Sequence, residues 1–450
     1  MTHDYTYTNP YCNPKRLVKE LNDYVLGQDA GVRTVATAVA QHLMNMSYPN
    51  NAIAADNILV AGPTGCGKTE TIRALQQLQS VFHIPVLMFN IMDYSPARSW
   101  IGESITTIFD KVFAKAADIY FEDHNKDTPE TLLAEEITEI ANRAIIVIDE
   151  FDKIAMRHTS GGTGDNRHFH HDYQSNLLKI IEGNTYELND FSLEDSEPSV
   201  DPVTGELSVN TKKTKLTDLV VDSSNMLFIL MGAFDGIKDI TVNRLLREQL
   251  TNGQKTRLTS DYYQDTCCGF MAKPRPACKP VQTTFTDEQL IPSQEDLIQY
   301  GFMRELVGRI PVRTVYKPLT EEALINIMLH AKTSAYREYQ QRFQRINAVL
   351  RCDRATLREI ARIAVKRGTG ARGLRTVFSE LLTATWYELA SERRVFHVLL
   401  RGRDIVADRP PRLHDKTEAA RRKEARDYER WAKTKFLQPR TQPNSTKKNA

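Results

Sequence analysis

The chain contains the sequence Gly62-Pro63-Thr64-Gly65-Cys66-Gly67-Lys68-Thr69, which lies between a short apolar run and a segment with helical spacing. It satisfies the pattern G-x-x-x-x-G-K-[ST] in the strand, loop and helix setting that a phosphate-binding loop requires. Backbone N–H groups of such a loop converge on phosphate oxygens, and the following helix adds the partial positive charge of its N-terminus. We expect Lys68 to reach the outer phosphates and the Thr69 hydroxyl to ligate Mg²⁺. The alternative is a glycine-rich turn that matches by chance, and the flanking strand and helix argue against it.

An acidic motif follows a second apolar run, Ile145 to Ile148. Asp149 and Glu150 come directly after this run, at the edge where open α/β sheets bind ligands. We expect Asp149 to hold Mg²⁺ and its waters. Glu150 is expected to orient or deprotonate an attacking water, which distinguishes a hydrolase from a P-loop kinase. A helix N-cap with acidic neighbours is the alternative, since such caps are common.

Apolar runs elsewhere in the chain favour the α/β fold class. Ile58 to Ala61, Ile84 to Phe89 and Met226 to Leu230 have the composition of buried strands, and helical stretches separate them. Strands that alternate with helices form a parallel sheet covered on both faces. The sequence therefore predicts a P-loop NTPase domain with a parallel sheet.

The length of 450 residues predicts more than one folding unit. The expected segments are a leader at 1–13, a large α/β domain at 14–312, a small, mostly helical domain at 313–400 and a basic tail at 401–450. Within the large domain, the polar residues 186–222 are interpreted as an inserted hairpin or mobile loop. The proline-rich residues 251–296 are interpreted as an irregular loop.

Charge and cysteine content exclude several classes of protein. Lys and Arg number 59 against 57 Asp and Glu, so no chain-wide field favours nucleic acid or an acidic substrate. The six cysteines form no C-x-x-C pair, which argues against a zinc ribbon and a secreted disulfide scaffold. The chain has neither an apolar leader nor a run of ~18 apolar residues, so we expect a reduced, cytoplasmic protein without membrane contacts. It also has no recognisable protease nucleophile.

Eight stretches between about Pro14 and about Leu400 occur in an order that is typical of one family. They are Tyr24 to Gln28, Gly62 to Thr69, Ile148 to Ile154, Leu177 to Gly183, Gly232 to Gly236, Tyr300 to Phe302, Glu305 to Pro311 and Gly370 to Arg375. In these stretches the chain resembles the ClpX family of AAA+ unfoldases, to which HslU is related. The resemblance implies an AAA+ α/β domain followed by a small helical lid domain, with ATP and Mg²⁺ as ligands. It also implies a homo-hexameric ring that threads polypeptides through its pore and delivers these polypeptides to a ClpP-type peptidase.

The resemblance implies roles for four further residues. Val25 and Leu26 match the segment that packs on adenine, although two apolar residues in a turn could equally be ordinary core. Arg309 matches an arginine finger that reaches the nucleotide of the neighbouring subunit, so hydrolysis should require assembly. Arg372 matches the sensor-2 arginine, which contacts the γ-phosphate from the small domain and couples nucleotide state to interdomain rotation. The alternatives are a surface ion pair for Arg309 and a solvent-exposed helix residue for Arg372.

Two segments match the pore loops of the family. Trp100, Ile101 and Gly102 stand where the family has Gly-Tyr-Val-Gly, and an indole keeps a large apolar surface for gripping an extended polypeptide. A buried core residue is the alternative for Trp100. Arg167 to Asp172 match the second pore loop but are basic and rich in His. We favour a pH-dependent charge there over metal binding.

Two further segments match surface loops of the family. Cys268, Gly269 and Phe270 stand where it has Ile-Gly-Phe, the loop that docks into the peptidase, and an exposed Gly-Phe tip is a reasonable anchor. A locally packed Phe270 is the alternative. Lys212 and Lys213 have the spacing of the basic loop at the axial entrance.

The chain departs from the family in two further places. No counterpart of the zinc-binding amino-terminal domain is found, and Leu230-Met231-Gly232 offers no polar side chain where many AAA+ proteins place sensor 1.

The functions that compete with a peptidase-coupled unfoldase are a stand-alone remodeller, a nucleic-acid motor and an inactive structural ring. The basic tail suggests the nucleic-acid motor, but base-stacking platforms are lacking.

Overall fold

The structure of the protein is a computed structural model. It describes residues 9–46, 55–95, 103–123, 130–156, 165–189, 191–200, 207–251, 285–390, 396–415 and 426–427. The chain divides into two compact units, Met1–Pro318 and Leu319–Ala450.

The first unit alternates strands and helices along the chain. Its strands are β1 (Ile58–Ala61), β2 (Val86–Asn90), β3 (Tyr94–Ser95), β4 (Glu103–Ser104), β5 (Ile145–Asp149), β6 (Thr185–Glu187), β7 (Phe191–Val200), β8 (Leu207–Leu216), β9 (Val220–Asp222), β10 (Leu227–Gly232) and β11 (Val312–Val315). Its helices are α1 (Pro14–Leu21), α2 (Asp29–Asn45), α3 (Lys68–Gln76), α4 (Gln79–Phe82), α5 (Ile108–Asp123), α6 (Glu130–Ala141), α7 (Asp165–Glu182), α8 (Ile237–Thr251), α9 (Gln294–Tyr300) and α10 (Arg304–Gly308).

Five of these strands form one parallel sheet in the order β11-β1-β10-β5-β2. The α/β fold predicted from the sequence is therefore confirmed. The register sets Ala61 beside Gly232 and Val315, and Asp149 beside Asn90. The carboxyl ends of β1, β10 and β5 thus lie next to one another at one edge of the sheet.

Both faces of the sheet are covered. Successive side chains of a strand point to opposite faces, so each central strand contributes to the core on either side. In β5, Ile146 and Ile148 belong to a core with α5, α6 and α7, whereas Ile145 and Val147 belong to a core with α1, α2 and α3. This explains why the central strands have continuous apolar sequences.

The insert at 186–222 contains antiparallel strands. β6 pairs with β9, and β7 pairs with β8 over ten residues on each strand. Of the two interpretations of this segment, the hairpin is the one that the structure contains.

The second unit combines helices with a three-stranded sheet. Its helices are α11 (Glu321–His330), α12 (Ala335–Gln344), α13 (Arg354–Lys366), α14 (Gly370–Ala390) and α15 (Gly402–Val406), and its strands are β12 (Ala348–Cys352), β13 (Phe396–Leu400) and β14 (Arg412–Asp415). β13 pairs in parallel with β12 and antiparallel with β14. This folded sheet includes residues beyond Leu400, where the sequence suggested that the tail begins.

Within the described part of the chain, no helix combines the length and the apolar character needed to cross a membrane.

Candidate functional site

The Gly62–Thr69 loop joins the carboxyl end of β1 to α3. The N–H of Gly62 donates to the carbonyl of Gly232 at the end of β10, at 3.2 Å. A Cβ on Gly62 would lie 2.6 Å from the carbonyl oxygen of Tyr316, so a side chain has no room there. Gly67 is the N-cap of α3 with φ of 109°, a left-handed conformation that glycine adopts at little cost. The loop is thus fixed between β10 and the segment after β11.

Lys68, the first residue of α3, directs its ammonium group back to the loop. Its Nζ donates to the carbonyls of Gly62 and Pro63, the second at 3.0 Å, and lies 3.9 Å from Sγ of Cys66. Burial raises the pKa of the Cys66 thiol, although the Lys68 ammonium opposes the rise. The thiol is therefore neutral at neutral pH, and the loop carries the positive charge of Lys68, which suits the outer phosphates of a nucleotide.

Asp149 ends β5 at the same edge of the sheet as the loop, and Glu150 follows it directly, with β10 between β5 and β1. The N–H of Glu150 donates to Oδ1 of Asp149 at 2.9 Å. Glu150 has φ of 58°, in the left-handed region that costs a non-glycine residue on the order of 1–2 kcal/mol. Both side chains are half-buried, so water and a cation can reach the carboxylates.

Asp152 occupies the space beside the end of β10. Its side chain is buried, and Oδ1 accepts the N–H of Ala233 at 3.1 Å. A Cβ on Gly232 would lie 2.5 Å from that oxygen. Residue 232 therefore has no room for a side chain, which gives a physical reason for the missing polar residue at the sensor-1 position. Asp152 was not predicted as a site residue from the sequence, and its position three residues after Asp149 is the one local signal for it.

The turn before α2 also reaches the loop. Val25 is buried, and a Cβ on Gly67 would lie 3.2 Å from its Cγ1, whereas Leu26 is half-buried. The amide of Gln28 donates to the carbonyls of Cys66 at 3.0 Å and Lys317 at 2.8 Å, and accepts the N–H of Lys317 at 2.9 Å. Gln28 thus ties the loop to the last residues of the first unit, a connection that the sequence did not reveal.

The two matched arginines lie in different units. Arg309 follows α10, and its Nη2 lies 3.1 Å from Oε1 of Glu182, the last residue of α7. The two side chains are 54% and 38% exposed, so the ion pair proposed as an alternative from the sequence is present on the surface of this chain. Arg372 is an exposed residue in the first turn of α14.

Comparison with known proteins shows which family has this arrangement. Residues 54–313 match the family described as AAA domain, Cdc48 subfamily. The chain belongs to this family. As an AAA protein it binds nucleotide and hydrolyses ATP, as the loop and the acidic pair predicted.

Several curated relatives of this AAA protein are ClpX proteins. A protein of Treponema denticola named "ATP-dependent Clp protease ATP-binding subunit ClpX" is 29% identical over 84% of this chain and 77% of its own length. A protein of Saccharomyces cerevisiae named "ATP-dependent clpX-like chaperone, mitochondrial" is 26% identical over 83% of this chain and 78% of its own length. A ClpX of Borrelia duttonii is 27% identical over 86% of this chain and 77% of its own length. The resemblance to ClpX inferred from the motifs is confirmed.

Some predicted positions of the AAA protein lie outside the described residues. These are Trp100, Ile101 and Gly102 of the first pore-loop match and Cys268, Gly269 and Phe270 of the docking-loop match. Arg167 to Asp172 lie in α7, so the backbone at the second pore-loop match is helical and not a loop. The described ranges contain no group of three or more His, Cys, Asp or Glu residues that could hold a metal ion.

The basic pair matched to the axial loop lies within a strand. Lys212 and Lys213 belong to β8, where the register sets them opposite Asp195 and Glu194 of β7. The spacing matches them to a loop of the family, but here their backbone forms a strand, because the antiparallel pairing of β7 and β8 continues on both sides of them.

Proposed function

We propose that the chain is an ATP-dependent protein unfoldase of the ClpX type, which assembles into a homo-hexameric ring and threads polypeptides through its pore. The observation that carries this proposal is that one chain combines a complete nucleotide loop and acidic pair with an arginine, Arg309, that is 54% exposed. An arginine at the surface can serve a site on another copy of the chain. The names and coverage of the ClpX relatives support the same proposal.

The proposed binding step uses the loop and its surroundings. Backbone N–H groups of Gly62 to Thr69 hold the phosphates of ATP, and Lys68 exchanges its carbonyl partners for phosphate oxygens. Val25 and Leu26 pack on the adenine. The Thr69 hydroxyl and the Asp149 carboxylate form an oxygen donor set that suits Mg²⁺, and the partly exposed Asp149 leaves room for its waters. When bound, Mg²⁺ neutralises charge on the β- and γ-phosphates.

The proposed hydrolysis step uses one side chain from the first unit, one from the neighbouring copy of the chain and one from the second unit. Glu150 orients the attacking water and accepts its proton. Arg309 of the neighbouring copy stabilises the charge that develops on the γ-phosphate. Arg372 contacts the same phosphate from the second unit, so that the small domain responds to the state of the nucleotide.

Threading requires contacts that grip without reading sequence. Trp100, Ile101 and Gly102 are proposed to supply an aromatic and aliphatic grip on an extended polypeptide. Repeated ATP turnovers can unfold ordinary domains, whose stability is only about 5–15 kcal/mol.

Delivery to a ClpP-type peptidase is the finer part of the proposal. It rests on the match of Cys268, Gly269 and Phe270 to a docking loop, in which Cys268 replaces a larger apolar residue. That replacement favours the competing function, a remodeller without a peptidase. Association of the purified protein with ClpP, and its loss in Phe270→Ala, would decide between the two.

The test of the proposed function is ATP-dependent unfolding of a tagged fluorescent protein. The wild-type chain is expected to abolish the fluorescence only with ATP, and Glu150→Gln is expected to leave it intact. ATP hydrolysis without any unfolding, across several tags, would contradict the proposal. Stimulation of hydrolysis by DNA, with binding that weakens steeply with salt, would favour a nucleic-acid motor instead.

A further inference from the structure

The helix that precedes Arg309 is held at both ends by buried amide side chains. α10 is short, and Leu306 and Val307 anchor it in the core. Met303 is its N-cap residue, and Arg309 follows its last residue. Because the helix contributes little stability by itself, the contacts at its ends decide where Arg309 lies.

Gln174 of α7 makes the contacts at the first end. Its side chain is fully buried, and Nε2 donates to the carbonyls of Ile154 at 2.8 Å and Gly301 at 3.1 Å. Its Oε1 accepts the N–H of Met303 at 2.7 Å. One amide therefore joins the segment after β5 to the segment before α10 by three hydrogen bonds to backbone groups.

The segment after β5 is the turn that begins with the acidic pair. Phe151 to Ile154 form a short 3₁₀ helix directly after Glu150. Phe151 is stacked on Phe302, with ring centroids 4.7 Å apart and an angle of 14° between the ring planes. These contacts connect the hydrolytic site of a subunit to the beginning of its own α10.

The segment after β5 and the segment before α10 also approach each other closely at Gly301. The N–H of Met156 donates to the carbonyl of Gly301 at 2.9 Å, and a Cβ on Gly301 would lie 2.6 Å from the carbonyl oxygen of Met156. A shift of the turn after Glu150 would therefore also displace Gly301.

Asn57 holds the other end of α10. Its Nδ2 donates to the carbonyl of Arg309 at 3.0 Å, and its Oδ1 accepts the N–H of Phe228 in β10 at 3.1 Å. Arg309 is thus fixed through its backbone to the sheet, while its guanidinium group stays on the surface.

We propose that Gln174 is a positioning residue that sets Arg309 for the nucleotide site of the neighbouring subunit, and this inference rests on the proposed function. It transmits the position of the turn after Glu150 to α10, so each site influences the next one around the ring. A displacement of about 1 Å at a reacting centre can cost roughly 10²-fold in rate. Loss of the Gln174 bonds therefore lowers turnover at the neighbouring site.

The experiment uses mixed rings of full-length chains. Wild-type chain is mixed with an excess of a tester chain that carries Glu150→Gln, so that every turnover comes from a wild-type site beside a tester. Four testers are compared: Glu150→Gln alone, and the same chain with Arg309→Ala, Gln174→Met or Gln76→Met. Gln76 is the matched control, because its Nε2 donates to the carbonyl of Val86 at 3.2 Å, away from α10. Tester entry into rings and tester affinity for ATP are measured in parallel.

The Gln174→Met tester is expected to lower turnover per wild-type subunit at least about threefold relative to Glu150→Gln alone, toward the value of the Arg309→Ala tester. The Gln76→Met tester is expected to match Glu150→Gln alone. If Arg309→Ala lowers turnover and Gln174→Met does not, the inference is wrong and the proposed function stands. If the Arg309→Ala tester has no effect, both are wrong. Should Gln174→Met not enter rings, Gln174→Leu, which also lacks the amide and has a smaller side chain, decides by the same criterion.

Discussion

The guanidinium of Arg309 and the carboxylate of Glu182 form an ion pair of 3.1 Å between the ends of α10 and α7. Both groups are exposed, and such pairs contribute only about 0–1 kcal/mol to stability. Arg309 can therefore leave Glu182 for a phosphate at small cost. The pair gives the arginine a resting position on its own chain without fixing it there.

Replacing Arg309 should lower ATP turnover, whereas replacing Glu182 should leave it unchanged. Arg309→Ala is expected to reduce ATP turnover by roughly 10³-fold or more, because it removes a cation from the transition state of the neighbouring site. Glu182→Gln is expected not to reduce turnover. Steady-state phosphate release measures both. A loss of turnover in Glu182→Gln comparable to that in Arg309→Ala would show that the pair itself is needed.

The two variants should be alike in stability. Each is expected to change the free energy of unfolding by less than about 1 kcal/mol in urea titrations, since the pair is exposed. A larger change would assign the pair a structural role.

Binding and hydrolysis should separate at Lys68 and Glu150. Lys68→Ala is expected to weaken ATP binding by about 1.5–3 kcal/mol, the usual range for a hydrogen bond to a charged group. Glu150→Gln is expected to bind ATP normally but to hydrolyse it roughly 10²–10⁴-fold more slowly. Titration with a fluorescent ATP analogue and phosphate release distinguish the two effects. Normal turnover in Glu150→Gln would remove it from the proposed chemistry.

The lack of space at Gly232 predicts that Gly232→Ala destabilises the protein. Its Cβ would lie 2.5 Å from Oδ1 of Asp152 and 2.8 Å from Cε2 of Phe234, both buried. We expect a loss of about 1–3 kcal/mol in the free energy of unfolding.

Gly308→Ala is the control for that variant, because nothing lies within 4 Å of its Cβ position and the residue is helical. It is expected to be neutral or to stabilise by up to about 1 kcal/mol. Equal effects at the two positions would contradict the steric explanation.

The buried His42 predicts that stability falls in acid. Burial lowers its pKa to about 4 from an ordinary value of 6.5, and its Nε2 lies 2.9 Å from the carbonyl oxygen of Arg143. Between these two pH values the unfolded chain binds a proton that the folded chain does not, so stability rises with pH. We expect a contribution of roughly 3 kcal/mol to the free energy of unfolding that is complete above pH 6.5 and lost as the pH falls to about 4.

Thermal or urea unfolding across this pH range measures the effect. His42→Gln should have a flatter pH profile than the wild type. An identical profile would show that other groups cause the acid sensitivity.

The elements that the sequence predicted best are those whose apolar side chains are all buried. β1, β5 and β10 have continuous apolar sequences because both faces of a parallel sheet are covered. β11, Val312-Arg313-Thr314-Val315, was missed because it is a short edge strand with a charged and a polar residue. β12, which includes Arg351, was missed in the helical second unit for a similar reason.

The residues that connect the site to its surroundings could not be predicted, because their partners are distant backbone atoms. Gln174 and the carbonyl of Gly301 are 127 residues apart, and Gln28 and the backbone of Lys317 are 289 apart. A glutamine in a helix or turn carries no local signal for such bonds. The loop and the acidic pair, in contrast, owe their chemistry to neighbours in sequence and were found from the sequence alone.

Hydrolysis at a site shared by two copies of the chain is tested most directly by mixing two inactive variants. Arg309→Ala keeps its own Glu150, and Glu150→Gln keeps its own Arg309, so a mixed ring contains junctions with both groups intact. We predict that each variant alone has almost no ATP turnover and that the mixture recovers a substantial part of it. Mixed rings that form but remain as inactive as the separate variants would contradict the account.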